Sequence, residues 1–272
     1  MKTLIKYLLM LSFIMMLSCS DESTNTPNGI DWGKWLNQKV GNYYIYDEEY
    51  YKEGSQFLYF PNRKMQIEAV ANYLGKDCYL YKASQISNGM QLGSFFASVE
   101  GSKLFYSGEL YADFYNPLFD EGYGQVDPNC WALIADFEKE TWDIYDSTFN
   151  NVEIGYSKFW TGRLIIKGRK GNDTTIIINK IEYKCKTIHH EWVLTGKLKY
   201  FEDEYDMGNP DTKGTITFLY SENIGGLNVI SETPAHDWGI TMYPHIRFVH
   251  QVKEVHTDRK STRLNSSHRI RS

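Results

Sequence analysis

Histidine and carboxylate residues cluster in a late stretch of the chain that could carry chemistry. His236 and Asp237 are adjacent, and His245 and His250 follow in the same stretch. A carboxylate beside an imidazole can orient it as a general base or as a metal ligand. The sequence carries no nucleophile elbow and no His-Glu-x-x-His motif, which favours ordinary roles for these residues. We therefore predict no catalytic residue, no bound metal and no cofactor.

Two further groups of polar residues have the right types for metal binding but the wrong spacing. His189 and His190 are neighbours within a stretch that alternates like a strand, so their side chains should diverge and cannot easily bind one ion. The acidic run Glu202–Asp206 offers oxygen ligands of the kind that calcium takes. It lacks the alternating positions and the closing glutamate of an EF-hand, so it predicts a solvated hairpin tip.

Three cysteines lie in the body of the chain, at Cys78, Cys130 and Cys185. Their spacing is typical of neither a zinc site nor a redox motif. Cys78 and Cys185 each lie six residues after an asparagine and four after an aliphatic residue. If a disulfide forms, we expect it to join Cys78 and Cys185.

Aromatic residues are abundant, with 7 Trp, 21 Tyr and 14 Phe, and some of them interrupt the strand pattern. Trp238 and Tyr243 lie between two prolines, where the alternation of apolar and polar residues is broken. Stacked aromatic rings provide binding energy, and Trp and Tyr are enriched in binding hot spots. We therefore predict Trp238 and Tyr243 as ligand-binding residues, and Trp160 as a second candidate whose alternative is a place in the core.

Most of the chain alternates with a period of two, as half-buried strands do. Met65 to Tyr73 is the clearest early example, and the stretch from Trp160 onward is the strongest. Gly168 to Asp173 predicts a hairpin with Thr174 to Ile178 as its return strand. Glu138 to Gly155 predicts a turn and an irregular stretch, and Ile30 begins a short helix-like piece.

The many short strands separated by turns predict an all-β fold. A Tyr-rich opening strand, a Gly-Lys hairpin and a Gly-Gly-Leu-Asn strand near the end make the chain resemble periplasmic and surface lipoproteins with a single antiparallel, curved, half-barrel-like sheet. The resemblance implies that architecture here, with few short helices. A two-sheet β-sandwich is the alternative.

Charge argues against a nucleic-acid partner. The whole chain has 34 acidic and 29 basic residues. Two of the lysines lie at the N-terminus, and one aspartate and five basic residues follow Thr257. Without these, 33 acidic and 22 basic residues remain, a net charge of −11. Lysine and arginine form no phosphate-neutralising stripe in that body. The sequence therefore predicts no nucleic-acid binding.

The first nineteen residues carry a targeting pattern. Lys2 and Lys6 precede an apolar run from Tyr7 to Leu17, which is shorter than the roughly 20 residues of a membrane-spanning helix. With Ser18 and Cys19 closing the run, the stretch resembles a bacterial lipoprotein signal peptide with its lipobox. The resemblance implies acylation of Cys19 and a membrane partner reached through the lipid anchor, in the outer membrane.

The polar tract after Cys19 has no apolar residue to bury, so it predicts a flexible tether. Ser20 followed by Asp21 and Glu22 also resembles the surface-export signal of Bacteroidota lipoproteins. The alternative is an ordinary solvated linker. The folded part is expected to face either the periplasm or the cell surface.

The chain changes character at Asp258. Residues Asp258 to His268, DRKSTRLNSSH, can be back-translated as a common short-read sequencing adapter. We expect the tail to be translated adapter read-through, with no part in the fold.

The expected organisation is a signal peptide over 1–18, a lipidated tether over 19–29, one β-rich domain over 30–257 and a non-native tail over 258–272. Two functions fit it. The first is a non-enzymatic binding or assembly lipoprotein that takes a glycan or protein ligand through aromatic side chains. The second is a secreted hydrolase acting on glycans or other extracellular polymers.

Overall fold

The structure, a computed structural model, describes residue 35 and residues 39–107, 131–153, 158–206, 212–222, 224–237 and 242–257. For residues 158, 236, 237, 242 and 243 only the backbone is described. The predicted signal peptide and tether, most of the helix-like piece predicted after Ile30, and the tail from Asp258 all lie outside these ranges. Trp32–Ser272 is grouped as one compact unit, and Met1–Asp31 as another. No helix among the described residues is long and apolar enough to cross a membrane.

The described residues form sixteen strands. In chain order they are β1 (Tyr43–Lys52), β2 (Ser55–Tyr73), β3 (Lys76–Gln85), β4 (Gln91–Glu100), β5 (Lys103–Ser107), β6 (Trp131–Asp136), β7 (Thr141–Glu153), β8 (Lys158–Lys170), β9 (Thr174–Ile178), β10 (Ile181–Tyr200), β11 (Asp203–Asp206), β12 (Thr212–Ser221), β13 (Gly225–Thr233), β14 (His236–Asp237), β15 (Met242–Tyr243) and β16 (Ile246–His256).

Fourteen of these strands form one antiparallel sheet, nearly closed into a barrel-like shape. Along its main path the order is β6-β5-β4-β3-β2-β1-β16-β13-β12-β10-β8-β7, while β9 and β11 pair with β10. The strands β14 and β15 form a separate small sheet. The predicted single curved antiparallel sheet is therefore confirmed.

Antiparallel pairing gives the sheet two distinct ends. We call the end where β1 begins the entry end, and the opposite one the far end. The two-residue turns Leu74-Gly75 and Asn179-Lys180 lie at the entry end, and Glu53-Gly54 lies at the far end. All six of these residues have positive φ, as the tight turns that match strand twist require. The connection from β13 to β16 also leaves and rejoins the sheet at the far end.

Part of the sheet holds tryptophan rings directly over glycines, and we call this region the tryptophan wall. It comprises Trp142, Trp160 and Trp192 with Gly162, Gly168 and Gly214, on β7, β8, β10 and β12. The three tryptophans are 5%, 1% and 1% exposed. A Cβ added at Gly214 would lie 2.6 Å from the Trp192 ring carbon Cε2. Because only glycine leaves that space, the Trp142 and Trp192 rings pack against the backbone of the neighbouring strand, and the Trp160 ring packs against Gly162 of its own strand.

The two edge strands, β6 and β7, are consecutive in sequence, and a buried histidine from β10 helps to bring the edges together. His190 is fully buried, and its Nε2 lies 2.7 Å from the Ile134 carbonyl oxygen on β6. Its ring also meets that of Trp142 on β7 edge-on, at 6.5 Å between centroids. Burial lowers the pKa of His190 to about 4, so the imidazole is neutral at pH 7.

Two local expectations were wrong. Gly168 lies within β8, and β9 pairs with β10 rather than returning along β8. Residues 171–173 separate β8 from β9 but do not reverse the chain. The Gly171 amide still donates to the Thr187 carbonyl of β10 at 2.8 Å, so the chain continues along the same strand. In addition, most of the stretch expected to be irregular forms the strand β7.

The expected disulfide is also absent from the structure. Cys78 and Cys185 are both free, buried thiols. They lie on β3 and β10, and five strands separate these two in the sheet. The two cysteines are therefore not on neighbouring strands, where their Cα atoms could come close enough for a disulfide. The similar sequence settings of the two cysteines reflect two similar hairpins. Cys130 lies outside the described residues.

Candidate functional site

Three adjacent strands, β1, β2 and β16, carry a set of aromatic and charged residues on the inner side of the sheet. Cross-strand register places them in three rows. These rows are Arg63–Tyr46–Val252, Phe60–Glu48–His250 and Leu58–Tyr50–Phe248. Tyr46 and Val252 belong to the core, and the rows approach the far end in the order given. We call the residues Tyr46, Glu48, Tyr50, Phe57, Phe60, Arg63, Phe248 and His250 the aromatic face.

The outer part of the aromatic face is a cluster of rings that is only partly covered. The Tyr50 ring lies 4.8 Å from that of Phe248, 6.0 Å from that of Phe60 and 6.3 Å from that of Phe57, measured between centroids. Phe57 is 49% exposed and its neighbour Leu58 is 44% exposed. Large apolar side chains of a monomer are rarely left in contact with water as a group, and such groups mark binding surfaces.

Deeper in the aromatic face, Glu48 and Arg63 form an ion pair. Their side chains are only 12% and 16% exposed. The guanidinium carbon of Arg63 lies 4.3 Å from the centroid of the Phe60 ring, and its buried Nε has no hydrogen-bond partner among the described residues. Burial raises the pKa of Glu48, while the charge of Arg63 opposes that rise. The pair therefore offers both donors and an acceptor beneath the aromatic rings.

His250 lies beside this ion pair and is uncharged at neutral pH. Its ring stacks on that of Tyr46 with centroids 4.1 Å apart. Burial, and then the positive charge of Arg63, lower the pKa of His250 to about 3. Burial also raises the pKa of Tyr46. Both rings are therefore neutral hydrogen-bonding groups, and His250 is a poor general base at neutral pH.

The outer side of the same strands holds them together through Asp47. This carboxylate is 5% exposed, and it accepts hydrogen bonds from the Tyr59 hydroxyl at 2.8 Å and from the Asn62 amide at 3.0 Å. Lys253 on β16 lies 3.0 Å away. Burial favours the neutral acid, but these partners outweigh it and lower the pKa of Asp47. One carboxylate thus links all three strands that carry the aromatic face.

The predicted ligand-binding loop joins the sheet next to the aromatic face. Tyr243 pairs with His236 through the backbone, and Trp238 lies outside the described residues. The Glu53 amide donates to the His245 carbonyl at 2.9 Å, and the His245 amide donates to the Glu53 carboxylate at 2.7 Å. These bonds attach the loop to the β1–β2 hairpin, which carries Tyr50 and Phe57.

Trp160, the second predicted ligand residue, is placed in the tryptophan wall. It is 1% exposed, and its Nε1 donates to the Thr195 carbonyl at 3.1 Å. This is the core position that was weighed as its alternative, and a ligand could not reach the ring without opening the sheet.

The other chemically interesting residues are dispersed. His189 points outward, with Nδ1 3.0 Å from the Thr217 hydroxyl, while His190 points inward, so the two imidazoles diverge as expected. In the acidic hairpin, Glu204 pairs with Lys197 at 2.9 Å. Within the described ranges, no three His, Cys, Asp or Glu side chains are grouped so that they could hold a metal ion.

Sequence reasoning missed Glu48, Arg63 and His250 as a group because long-range pairing brings them together. One local signal existed, since Pro61 and Asn62 interrupt the alternation between Phe60 and Met65. In the structure Asn62 has a φ of 53°, and the register of β2 against β1 shifts at this point. Bulges of this kind often re-aim side chains beside functional sites.

Comparisons with known proteins give distant structural likenesses. No family model and no curated protein matches the sequence. The chain is similar to a candidate lipoprotein from Parabacteroides distasonis, with a TM-score of 0.42 and 10% identity over 82% of this chain and 98% of that one.

A candidate exported protein with a YmcC-like fold from Bacteroides fragilis gives a TM-score of 0.38 and 12% identity, over 81% of this chain and 98% of that one. The hypothetical lipoprotein YmcC from Escherichia coli gives 0.27 and 8%, over 77% and 84%. At TM-scores this low, the likenesses assign neither the fold nor the activity of this chain.

Proposed function

We propose that this protein is a lipoprotein of the outer membrane, anchored through Cys19, that binds carbohydrate through its aromatic face without catalysing a reaction. The observation that carries the proposal is the arrangement at the far end. Partly exposed rings of Tyr50, Phe57 and Phe248 lie on the far-end side of the largely buried Glu48–Arg63 pair. The folded part would face the periplasm or the cell surface.

Carbohydrate suits this surface because a sugar ring has an apolar face and a polar edge. The C–H groups of the ring can stack on an aromatic side chain, while hydroxyl groups need nearby donors and acceptors. Binding sites commonly combine an apolar, aromatic lining with a few polar groups that fix orientation. The rings of the aromatic face provide the first element, and the Glu48–Arg63 pair provides the second.

The alternative hydrolase has less support in these strands. A glycoside hydrolase needs two carboxyl groups separated by roughly 5–10 Å. On the inner side of β1, β2 and β16, the three rows that form the aromatic face hold Glu48 with aromatic, aliphatic, arginine and histidine residues, and no second carboxylate is among them. Glu48 is also paired with Arg63. Recognition therefore fits this surface better than bond cleavage.

Binding can be tested with the mature chain, extracted in detergent, on an array of bacterial and host oligosaccharides. We expect reproducible binding that Phe57→Ala weakens several-fold, since interface aromatic residues carry much of the binding energy. The matched control is Phe201→Ala, which removes a phenyl ring that is 69% exposed on a different hairpin. Equal losses in the two variants, or release of shortened oligosaccharides by the wild type, would contradict the proposal.

The anchor has its own test. Metabolic labelling with a fatty-acid analogue should mark the wild-type protein, and Cys19→Ala should remove both the label and the association with membranes. Labelling that persists in Cys19→Ala would show that the anchor is elsewhere.

A further inference from the structure

We infer that the entry end of the sheet docks on the surface of the bilayer that holds the anchor, so that the aromatic face points away from that membrane. This inference rests on the proposed Cys19 anchor, and it adds a second, non-covalent contact with lipid. Three observations support it: the position of the chain's entry, the side chains exposed at that end, and an unusual residue in one of its turns.

The first observation is the length of chain between the anchor and the sheet. The predicted tether over 19–29 ends about ten residues before Lys39, and a flexible coil of its length would span about 18 Å on average. After it, Trp35 stacks on Phe137, whose amide donates to the Ser102 carbonyl in the β4–β5 turn at the entry end. Lys39 leads directly to β1, which begins at the same end. The chain therefore reaches the sheet at the entry end, and the lipid anchor would raise the effective concentration of the bilayer there.

The second observation is that the elements of this end expose aliphatic side chains. Val40 precedes β1 and is 45% exposed, and Leu74 at the tip of the β2–β3 hairpin is 47% exposed. In the β9–β10 hairpin, Ile177 and Ile181 are 69% and 56% exposed. Aliphatic side chains suit disordered acyl chains better than a planar ligand. The turn at 86–90 exposes aliphatic side chains at the far end as well, so the place where the chain enters decides between the two ends.

The β9–β10 hairpin is held close to the point where the chain enters. The side-chain amide of Asn179, at its tip, donates to the Lys253 carbonyl on β16 at 3.2 Å. β16 pairs with the start of β1, where Tyr43 lies opposite His256. The exposed isoleucines therefore lie near β16, the neighbour of the strand to which the tether leads.

Lysine accompanies each of these aliphatic groups. Lys39 precedes Val40, Lys76 follows Leu74 by two residues, and Lys180 precedes Ile181. Carboxylates partly offset these charges, since Glu100 lies 2.6 Å from the Lys76 ammonium. Apolar contact should therefore dominate, with a minor contribution from anionic lipid.

The third observation is the conformation of Leu74. Its φ is 47° and that of Gly75 is 77°, a turn that favours Asn, Asp or Gly at both positions. A leucine there is conformationally unfavourable, and its side chain points into solvent. A contact outside the chain explains why an apolar residue occupies a position where asparagine would fit the turn better.

The test uses the lipidated protein in vesicles of phosphatidylethanolamine with a minor fraction of phosphatidylglycerol. A phospholipid with a photoactivatable diazirine near the glycerol is included, and cross-linked peptides are mapped by mass spectrometry. We expect lipid adducts at 39–41, 73–76 and 177–182, and few at 53–60 or 86–90.

Leu74→Asn is the critical variant because it should change two properties in opposite directions. Adducts on the β2–β3 hairpin should fall several-fold, while the melting temperature stays the same or rises. Ile86→Asn, which removes an aliphatic side chain that is 46% exposed at the far end, is the matched control and should leave the adducts unchanged.

The failures are distinguishable. Protein that does not sediment with the vesicles would overturn the anchor, and the docking with it. Protein that sediments but gives adducts evenly over both ends, or adducts that Leu74→Asn does not reduce, would overturn the docking alone. Cross-links between entry ends of two copies, instead of to lipid, would show that this surface is a dimer interface and would also overturn it.

Discussion

The tryptophan wall and the aromatic face use similar residues on the same sheet and reach opposite outcomes. In the tryptophan wall, Trp160 and Trp192 are each 1% exposed because glycines leave space for their rings. In the aromatic face, Phe57 meets the Tyr50 ring at 6.3 Å between centroids and remains 49% exposed. The comparison indicates that the packing partner, rather than the aromatic residue itself, decides whether a ring stabilises the fold or is available to a ligand.

The largest difference between the two regions should appear in stability. Trp192→Ala removes a fully buried ring and should lower the free energy of unfolding by about 3–5 kcal/mol. Phe57→Ala is the matched change in the aromatic face and should cost about 0.5 kcal/mol or less, as exposed positions do. Urea denaturation of both variants measures the difference. Similar losses would show that the aromatic face is also part of the core.

The fully buried His190, which packs against the tryptophan wall, and the partly buried His250 of the aromatic face both have a lowered pKa, and this predicts a loss of stability in acid. His190 has a pKa of about 4 and His250 of about 3, both below the usual 6.5. Between pH 6.5 and about 4 the unfolded chain binds protons that the folded chain does not. Stability should therefore fall as the pH falls, by about 1.4 kcal/mol per pH unit for each imidazole.

The groups around the two imidazoles differ, which allows their contributions to be separated. His190 lies against Trp142, Phe218 and the Ile134 carbonyl, with His189 as the charged neighbour. His250 faces Tyr44, Tyr46, Arg63 and Glu48. His190→Gln retains a donor for the carbonyl but does not titrate, so denaturation across this pH range should give a flatter slope. An unchanged slope would contradict the assignment.

Replacing one member of the Glu48–Arg63 pair should lower stability by less than the loss of a core ring, but by a measurable amount. Arg63→Met leaves the Glu48 carboxylate half-buried without its partner, which should cost about 2 kcal/mol. Glu48→Gln combined with Arg63→Met should cost less than the two single changes together. A double-mutant cycle measures this coupling. Strict additivity would show that the pair does not interact in solution.

The smallest expected effect on stability is at Trp238, in the segment between β14 and β15. Trp238→Ala should weaken oligosaccharide binding several-fold, because a stacked aromatic contact contributes about 0.5–1.5 kcal/mol beyond its area. The melting curve should hardly change. If the substitution unfolds the domain, Trp238 belongs to the core and the loop is not a binding element.

The sequence predicted the fold class well because alternation is a local signal. Met65, Ile67 and their neighbours show it directly, and the single curved sheet follows from many such strands. The hairpin expected at Gly168 was wrong because glycine there makes room for Trp142, a partner on another strand. Local sequence cannot distinguish a glycine that turns the chain from one that receives a ring.

The candidate site was only partly accessible from sequence for a similar reason. The loop with Trp238 and Tyr243 was predicted to bind a ligand because prolines break its pattern, and that stays a prediction. Glu48, Arg63 and His250 lie on three strands that are distant in sequence, and they meet only through the register of β1 with β2 and β16. Trp160 was proposed as a ligand residue from its type and its hairpin. Gly162, beneath its ring, lies only two residues further along β8, but the bond from Trp160 Nε1 to the Thr195 carbonyl depends on the pairing of β8 with β10.

The most direct test of the division between the two regions is hydrogen–deuterium exchange of the mature protein, with and without a saturating oligosaccharide identified on the array. We expect slower exchange at 50–60 and 245–250, which carry the aromatic face and its adjoining loop, and unchanged exchange in β8, β10 and β12. Protection confined to β8, β10 and β12, or spread evenly over the sheet, would contradict the account.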